Sequence, residues 1–202
     1  MAHTLRIPPA IRPATSSDEA EVSTVLSRAF HDDPVFSWIT PDAQRRRQIL
    51  PAFFAEFARA FIPLGRTYTT LGGAALWAPA GVDPVAEGDP VAFGERMAEI
   101  VGPDAERSAA ITKVIDANHP HEPAAYLQFA GVEPGRQGQG IGSALMAPML
   151  AACDRDGVPA YLVSTSNDNR RLYERHGFVV TRGLVVPGAP PMWAMWRDPV
   201  AS

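Results

Sequence analysis

Only one cysteine, Cys153, occurs in these 202 residues. A single thiol cannot close an intramolecular disulfide or build a cysteine-based metal cluster, so the chain reads as a protein of a reducing, cytoplasmic compartment with no metal site. Lysine is as scarce: Lys113 stands alone against seventeen arginines. Together with twenty prolines, this reads as genome-wide compositional bias and not as a functional device. No run approaches the roughly 18 apolar residues that a membrane-spanning helix needs. The opening MAHTLRIPPAIRPAT lacks the apolar core of a signal peptide, so no membrane partner is expected. Excess positive charge is missing too. The formal net charge of −4 argues against a general nucleic-acid surface, and the run Arg45-Arg46-Arg47 reads as a solvated helix face. What is there, 46% hydrophobic and 20% charged residues, suits one domain with a real core.

Periodicity and punctuation lay out the elements. Residues 10–15 read as a short strand and 16–30 as a helix capped by Ser16 or Ser17. Residues 31–42 read as a loop or broken helix, and 42–62 as a helix interrupted by Pro51. Two strand-like runs bracket Leu71-Gly72-Gly73 as a hairpin. Residues 79–123 hold one or two helices and a loop, an insertion in a single domain spanning 1–202. Residues 124–132 are apolar enough for a central strand buried on both faces. A helix to about Arg155 follows, kinked at Pro148, then a strand at 159–165. A short helix at 167–177, capped by Asn167 or Asp168, leads to strands at 178–186 and 191–197.

Between the central strand and its helix lie Gly135, Gly138, Gly140 and Gly142. No Lys-Ser or Lys-Thr pair follows them, as a nucleotide-triphosphate loop would require. The spacing G-x-G-x-G, with a next strand ending in Ser and Thr, also departs from the dinucleotide fingerprint. Glycines at a helix start let an anion reach the unpaired N–H groups there, so a diphosphate is a reasonable guest. Close helix–sheet packing is the structural alternative. Further on, NRRLYERHGF sets Asn169 and Tyr173 four apart on one helix face.

Together these segments resemble the GNAT superfamily of acetyl-CoA-dependent N-acetyltransferases. Gln137-Gly138-Gln139-Gly140-Ile141-Gly142 matches its Q/R-x-x-G-x-G/A motif, with a Val-x-Pro lead-in at 132–134. Asn169, Tyr173, Gly177 and Phe178 match N-x-x-x-Y-x-x-x-G-F. Many relatives carry asparagine seven residues before the tyrosine, where this chain has Ser166. Within the family, residues 121–145, 157–162 and 172–181 look like the puromycin N-acetyltransferases, departing at Ala125, where those carry tryptophan.

The resemblance implies a mixed α+β fold, a GNAT-like, mostly antiparallel central sheet flanked by helices. It implies acetyl-CoA as acyl donor and a small-molecule primary amine as acceptor, in a monomer or homodimer. A peptide or protein acceptor, or an acyl-CoA-binding sensor without chemistry, is the alternative. It makes Tyr173 the general acid for the departing thiolate and Asn169 a contact to the pantetheine. Arg136, Gln137, Gly138, Gln139, Gly140, Ile141, Gly142 and Ser143 are expected to hold the pyrophosphate. The strand at Phe129, Ala130 and Val132 is expected to offer backbone N–H groups to the thioester carbonyl. Phe30, Phe36, Trp38, Trp77 and Tyr126 are expected at the acceptor pocket. Base candidates are His31, Asp32, Asp33, His119, His121 and Glu122, or a relayed water.

Overall fold

In the computed structural model, which describes residues 10–200, strand β1 (Arg12–Pro13) passes at once into helix. Thr15 makes that turn. Its backbone N–H and its hydroxyl both donate to the Asp18 carboxylate, which also takes a two-pronged ion pair from Arg12. The cap is therefore Thr15 and not Ser16 or Ser17, because Thr15 has the extended backbone of a cap and bonds to Asp18 three residues on. A 3-10 turn (Ser16–Asp18) leads into α1 (Glu19–Ala29). Asp33 caps α2 (Pro34–Ile39), and Asp42 caps α3 (Ala43–Phe61).

Helix α3 runs unbroken through Pro51, where the sequence predicts an interruption. Proline removes one helical N–H bond, but its ring lies on the exposed face. Leu50, Phe54, Ala58 and Phe61, on the buried face, pack in one core with Val22, Val25 and Leu26 of α1, and the Ser23 hydroxyl ties α1 to the Pro51 carbonyl at 2.8 Å. Burial of that stripe outweighs one lost bond. The later helix over Ile141–Asp156 likewise continues past its internal Pro148.

The hairpin β2 (Thr67–Thr70) and β3 (Gly73–Ala78) is followed by two helices, α4 (Pro90–Val101) and α5 (Ala105–Ala117). These dock on the first third of the chain through polar ties. Arg96 pairs with Glu56 at 2.7 Å, Arg45 with Asp104 at 2.9 Å, and Arg107 donates to the Trp38 carbonyl at 3.0 Å. Then come β4 (Ala125–Val132), α6 (Ile141–Asp156), β5 (Ala160–Ser164), α7 (Asn167–Arg175), β6 (Val179–Leu184) and β7 (Met192–Arg197).

The strands form one seven-stranded sheet in the order β1-β2-β3-β4-β5-β7-β6. Every neighbouring pair is antiparallel except β4 with β5. One face packs on α6 through Trp77, Leu127, Leu145, Met146 and Leu162. The other packs on α1 and α3 through Leu26, Phe54 and Leu76, and farther along on α2 and α5 through Val35, Ile111 and Tyr161.

Strand β4 is central, as predicted, but it is not buried on both faces throughout. Tyr126, Gln128, Phe129, Ala130 and Val132 are half-buried. Its register with β3 shifts, because Leu76 opposes Phe129 while Trp77 opposes Leu127, leaving Gln128 as an extra residue. This bulge resets the alternation. Tyr126 and Phe129 share the α1 face, while Leu127, Ala130 and Val132 share the α6 face.

Candidate functional site

Strand β4 keeps its pairing with β3 as far as Val132, but it pairs with β5 only over Ala125–Leu127. Past Leu127 the two parallel strands part, and a wedge opens through the sheet. The end of β4 feeds the glycine turn and α6, while the end of β5 feeds α7. Both helices lie on the same side, where Leu172 of α7 stands against Gly142.

Gly138 and Gly140 take left-handed backbone, with φ of 72° and 81°, which residues with a Cβ adopt only under strain. Gly140 caps α6 without any side-chain hydrogen bond, and the first amide to return to it is that of Ala144, at 3.0 Å. The N–H groups of Ile141, Gly142 and Ser143 thus have no partner within the helix. A Cβ built at Gly135, Gly138 or Gly140 would meet no atom within 4 Å, so the turn faces open space.

The side chains around the turn brace it. Gln137 donates to the Val132 carbonyl at 3.1 Å, and Arg136 to the Leu71 carbonyl at 2.8 Å. Those two side chains are engaged with backbone, so what the segment presents outward is its amides. Gln139 is exposed, and the Ser143 hydroxyl is 2.9 Å from His176 Nε2 at the end of α7.

Helix α7 starts differently. Its cap is Ser166, whose hydroxyl accepts from the Asn169 amide at 3.2 Å. Asn167 and Asp168 are the first two helical residues instead, because Ser166 has the extended backbone a cap needs, with φ −148°. Asn169 is half-buried one turn before Tyr173. Tyr173 is buried, edge-on to Phe178 at 6.0 Å. Burial, and next the charge of Asp33, push its hydroxyl well above the ordinary tyrosine pKa.

Asp33 is the link across the wedge. One carboxylate oxygen accepts from the amides of Val35 and Phe36 at 2.8 and 3.2 Å. The other accepts from the Thr165 hydroxyl, just past β5, at 2.6 Å. Burial raises its pKa, against the lowering effect of those three bonds. Of the six base candidates, Asp33 is the one hydrogen-bonded to the chain just past the end of β5. Asp32 points to solvent with its side chain 85% exposed. His119, His121 and Glu122 line a different cavity of about 430 Å³ with Tyr161, Arg182 and Trp196, beside the start of β5 and away from the wedge.

The acceptor-pocket expectations divide. Phe30 and Phe36 meet the Phe129 ring at 5.6 and 6.5 Å, so the side chain of Phe129 belongs to this aromatic group and leaves only its backbone for a cofactor. Trp38 sits in the neighbouring core under α5, with the Arg107 guanidinium over its ring at 5.6 Å. Tyr126 packs against both groups. Trp77 is a correction: it is 0% exposed and faces α6, on the side of the sheet opposite Phe30 and Phe36. Strand alternation put it there, since Leu76 takes the α1 face. Sequence reasoning missed Thr165 and also Phe53 and Phe57, whose helical spacing in α3 reads as plain core. Among the described residues no helix is long and apolar enough to cross a membrane.

Residues 96–180 match the family model of the acetyltransferase (GNAT) domain. Over 77 residues the chain is 35% identical to an uncharacterized N-acetyltransferase of Schizosaccharomyces pombe, taking in 37% of this chain but only 31% of the yeast protein. Among solved structures it is similar to one described as histone acetyltransferase HPA2 and related acetyltransferase from Corynebacterium glutamicum. The identity is 27% and the TM-score 0.73, over 97% of this chain and 99% of that one. A polyamine N-acetyltransferase of Drosophila melanogaster, 15% identical with a TM-score of 0.57 over 94% and 99% of the two chains, shares the fold.

Proposed function

We propose that this chain, which has the GNAT fold and carries an acetyltransferase (GNAT) domain, moves the acetyl group of acetyl-CoA to a primary amine of a small molecule. The observation that carries this reading is the wedge between β4 and β5 with the uncapped, glycine-led start of α6 beside it. Free amides and the positive end of the helix dipole suit the pyrophosphate. Residues 10–200 are read as one acetyltransferase unit, with α4 and α5 as an insertion over the acceptor side. The likeness to puromycin N-acetyltransferases lies in the donor-side segments, so it bears on CoA and not on which amine is used.

In this reading the amine nitrogen attacks the thioester carbonyl, and backbone N–H groups of β4 near Phe129 to Val132 support the oxyanion. An alkylamine of pKa about 10 must first lose a proton. Asp33, directly or through a water, is the proposed acceptor of that proton. As the C–S bond breaks, the Tyr173 hydroxyl gives its proton to the sulfur. Burial keeps that hydroxyl protonated at neutral pH, as a donor must be.

Two measurements test the reading. Isothermal calorimetry should show acetyl-CoA binding, with NAD and ATP far weaker, and an amine screen should show thiol release. Absence of acetyl-CoA binding at millimolar concentration removes it. The Asp33 step has its own signature. Because its pKa is raised, kcat should fall as pH drops through a point above the ordinary carboxylate value of about 3.9. Asp33→Asn keeps an oxygen for the α2 amides but should abolish that limb and lower kcat by about 10²-fold.

A further inference from the structure

Six phenylalanines gather where β4 leaves β5. Around Phe129 stand Phe57 at 5.0 Å, Phe54 at 5.1 Å, Phe30 at 5.6 Å and Phe53 at 6.2 Å, with Phe36 at 6.5 Å. The row continues into the insertion, where Phe93 of α4 meets Phe57 edge-on at 5.4 Å. Phe54 is wholly buried, as a core ring should be. Phe36, Phe53, Phe57, Phe93 and Phe129 are only half-buried, so aromatic surface stays open beside the wedge.

The charge around this row is equally specific. Glu56 lies three residues after Phe53 and next to Phe57, and it is buried. Both its oxygens are taken, one by Arg59 at 2.6 Å and the other by Arg96 at 2.7 Å. Although burial opposes it, Arg96 and Arg59 hold this carboxyl below its ordinary pKa, so it stays ionised and spoken for. Arg96 follows Phe93 by one turn of α4. A second cationic group that reached Glu56 would therefore meet a carboxylate already paired with two guanidinium groups. The acid left near the wedge is Asp33, bonded to Thr165 beside the end of β5.

Resting on the acetyltransferase reading, we infer that the acceptor is a monoamine borne on an apolar, ring-sized body. The body lies against Phe57, Phe93 and Phe129, and the amine points toward Asp33. Rings at such separations attract one another in edge-on and offset geometries, and an aryl group extends the row. With Glu56 already paired by Arg59 and Arg96, polyamines, guanidino-amines and basic peptide tails are the poorer acceptors in this reading.

The test begins with calorimetry of acetyl-CoA on the wild-type chain, and its failure overturns both readings. With binding established, kcat/KM is compared for 2-phenylethylamine, agmatine, spermidine and a basic histone-tail peptide. The aryl monoamine should lead the others by about tenfold or more. Phe57→Leu and Phe93→Leu should each raise its KM about three- to tenfold, with the KM for acetyl-CoA and the melting temperature held. The double variant Arg59→Ala/Arg96→Ala, which frees Glu56, should lower the KM for agmatine and leave that for 2-phenylethylamine in place. A preference for agmatine, spermidine or the peptide, equal use of all four, or phenylalanine variants that change only melting temperature overturns this inference and leaves the acetyltransferase reading intact.

Discussion

Two helices begin at the mouth of the wedge, and they begin in opposite ways. Helix α7 satisfies its own first turn, since the Ser166 hydroxyl accepts from the Asn169 amide. So do α2, α3 and α4, through Asp33, Asp42 and Asp89. Helix α6 does not: its cap is Gly140, in a left-handed conformation and with no side chain to close the turn. A helix end left unsatisfied loses about 1 kcal/mol relative to a capped one. Helices α1 and α5 also lack a side-chain cap, but each grows directly out of a 3-10 turn, whereas α6 starts from a glycine turn that faces open space, which suits an outside acceptor of hydrogen bonds. The difference separates two roles on one side of the sheet. In the proposed reading the α6 start would hold the donor's phosphates, while α7 would supply, two turns in, the proton of Tyr173.

The largest expected effect tests the α7 side of that division. Tyr173→Phe removes the hydroxyl and keeps the ring against Phe178, so kcat should fall about 10²–10⁴-fold with acetyl-CoA affinity unchanged. A kcat within about threefold of wild type, well short of that range, would make Tyr173 a structural aromatic. Next comes Gly140→Val. A Cβ there would meet no atom within 4 Å, so the cost to folding is mainly conformational, about 1–3 kcal/mol from the positive φ. The melting-temperature rise given by acetyl-CoA should vanish, because the turn no longer presents its amides. The smallest effect is that of Ser166→Ala. It should lower stability by about 1 kcal/mol in denaturant titration and leave acetyl-CoA affinity as it was. If Ser166→Ala weakened acetyl-CoA binding as much as Gly140→Val, the two helix starts would share one job and the comparison would collapse.

The proposed donor side could be read in the sequence because its signals are local. Glycines at 138 and 140, and the spacing from Asn169 to Tyr173, sit within single turns of chain, and the structure brings both to one side of the wedge. The proposed acceptor side could not be read in the same way. Phe36, Phe57, Phe93 and Phe129 come from four elements spread over 94 positions, and no local period announces that they meet. Trp77 was misplaced because a lone aromatic in an apolar strand gives no clue to its face until the strand is paired. The bulge at Gln128 hid in a run without alternation, since Ala125 to Val132 is apolar on both sides of the pleat. Asp33 was readable as a candidate base, but its partner Thr165 lies 132 residues away. Only the fold joins them.

Gly131 fixes a tolerance. A methyl group there would meet Ala29 Cβ at 2.8 Å, Leu26 Cδ2 at 3.0 Å and Phe30 Cε2 at 3.3 Å, so α1 is seated directly on the backbone of β4. Ala29 has no flexible end to swing aside, and even one added carbon obliges the helix itself to lift. Phe30 and Asp33 ride on the end of that helix, and both would travel with it. The gap at Gly131 is in this sense a shim of zero thickness, setting how close α1 stands to the β4 wall of the wedge. Because a misplacement of about 1 Å can cost about 10²-fold in rate, this close approach of helix to strand becomes one of the tightest mechanical constraints in the molecule.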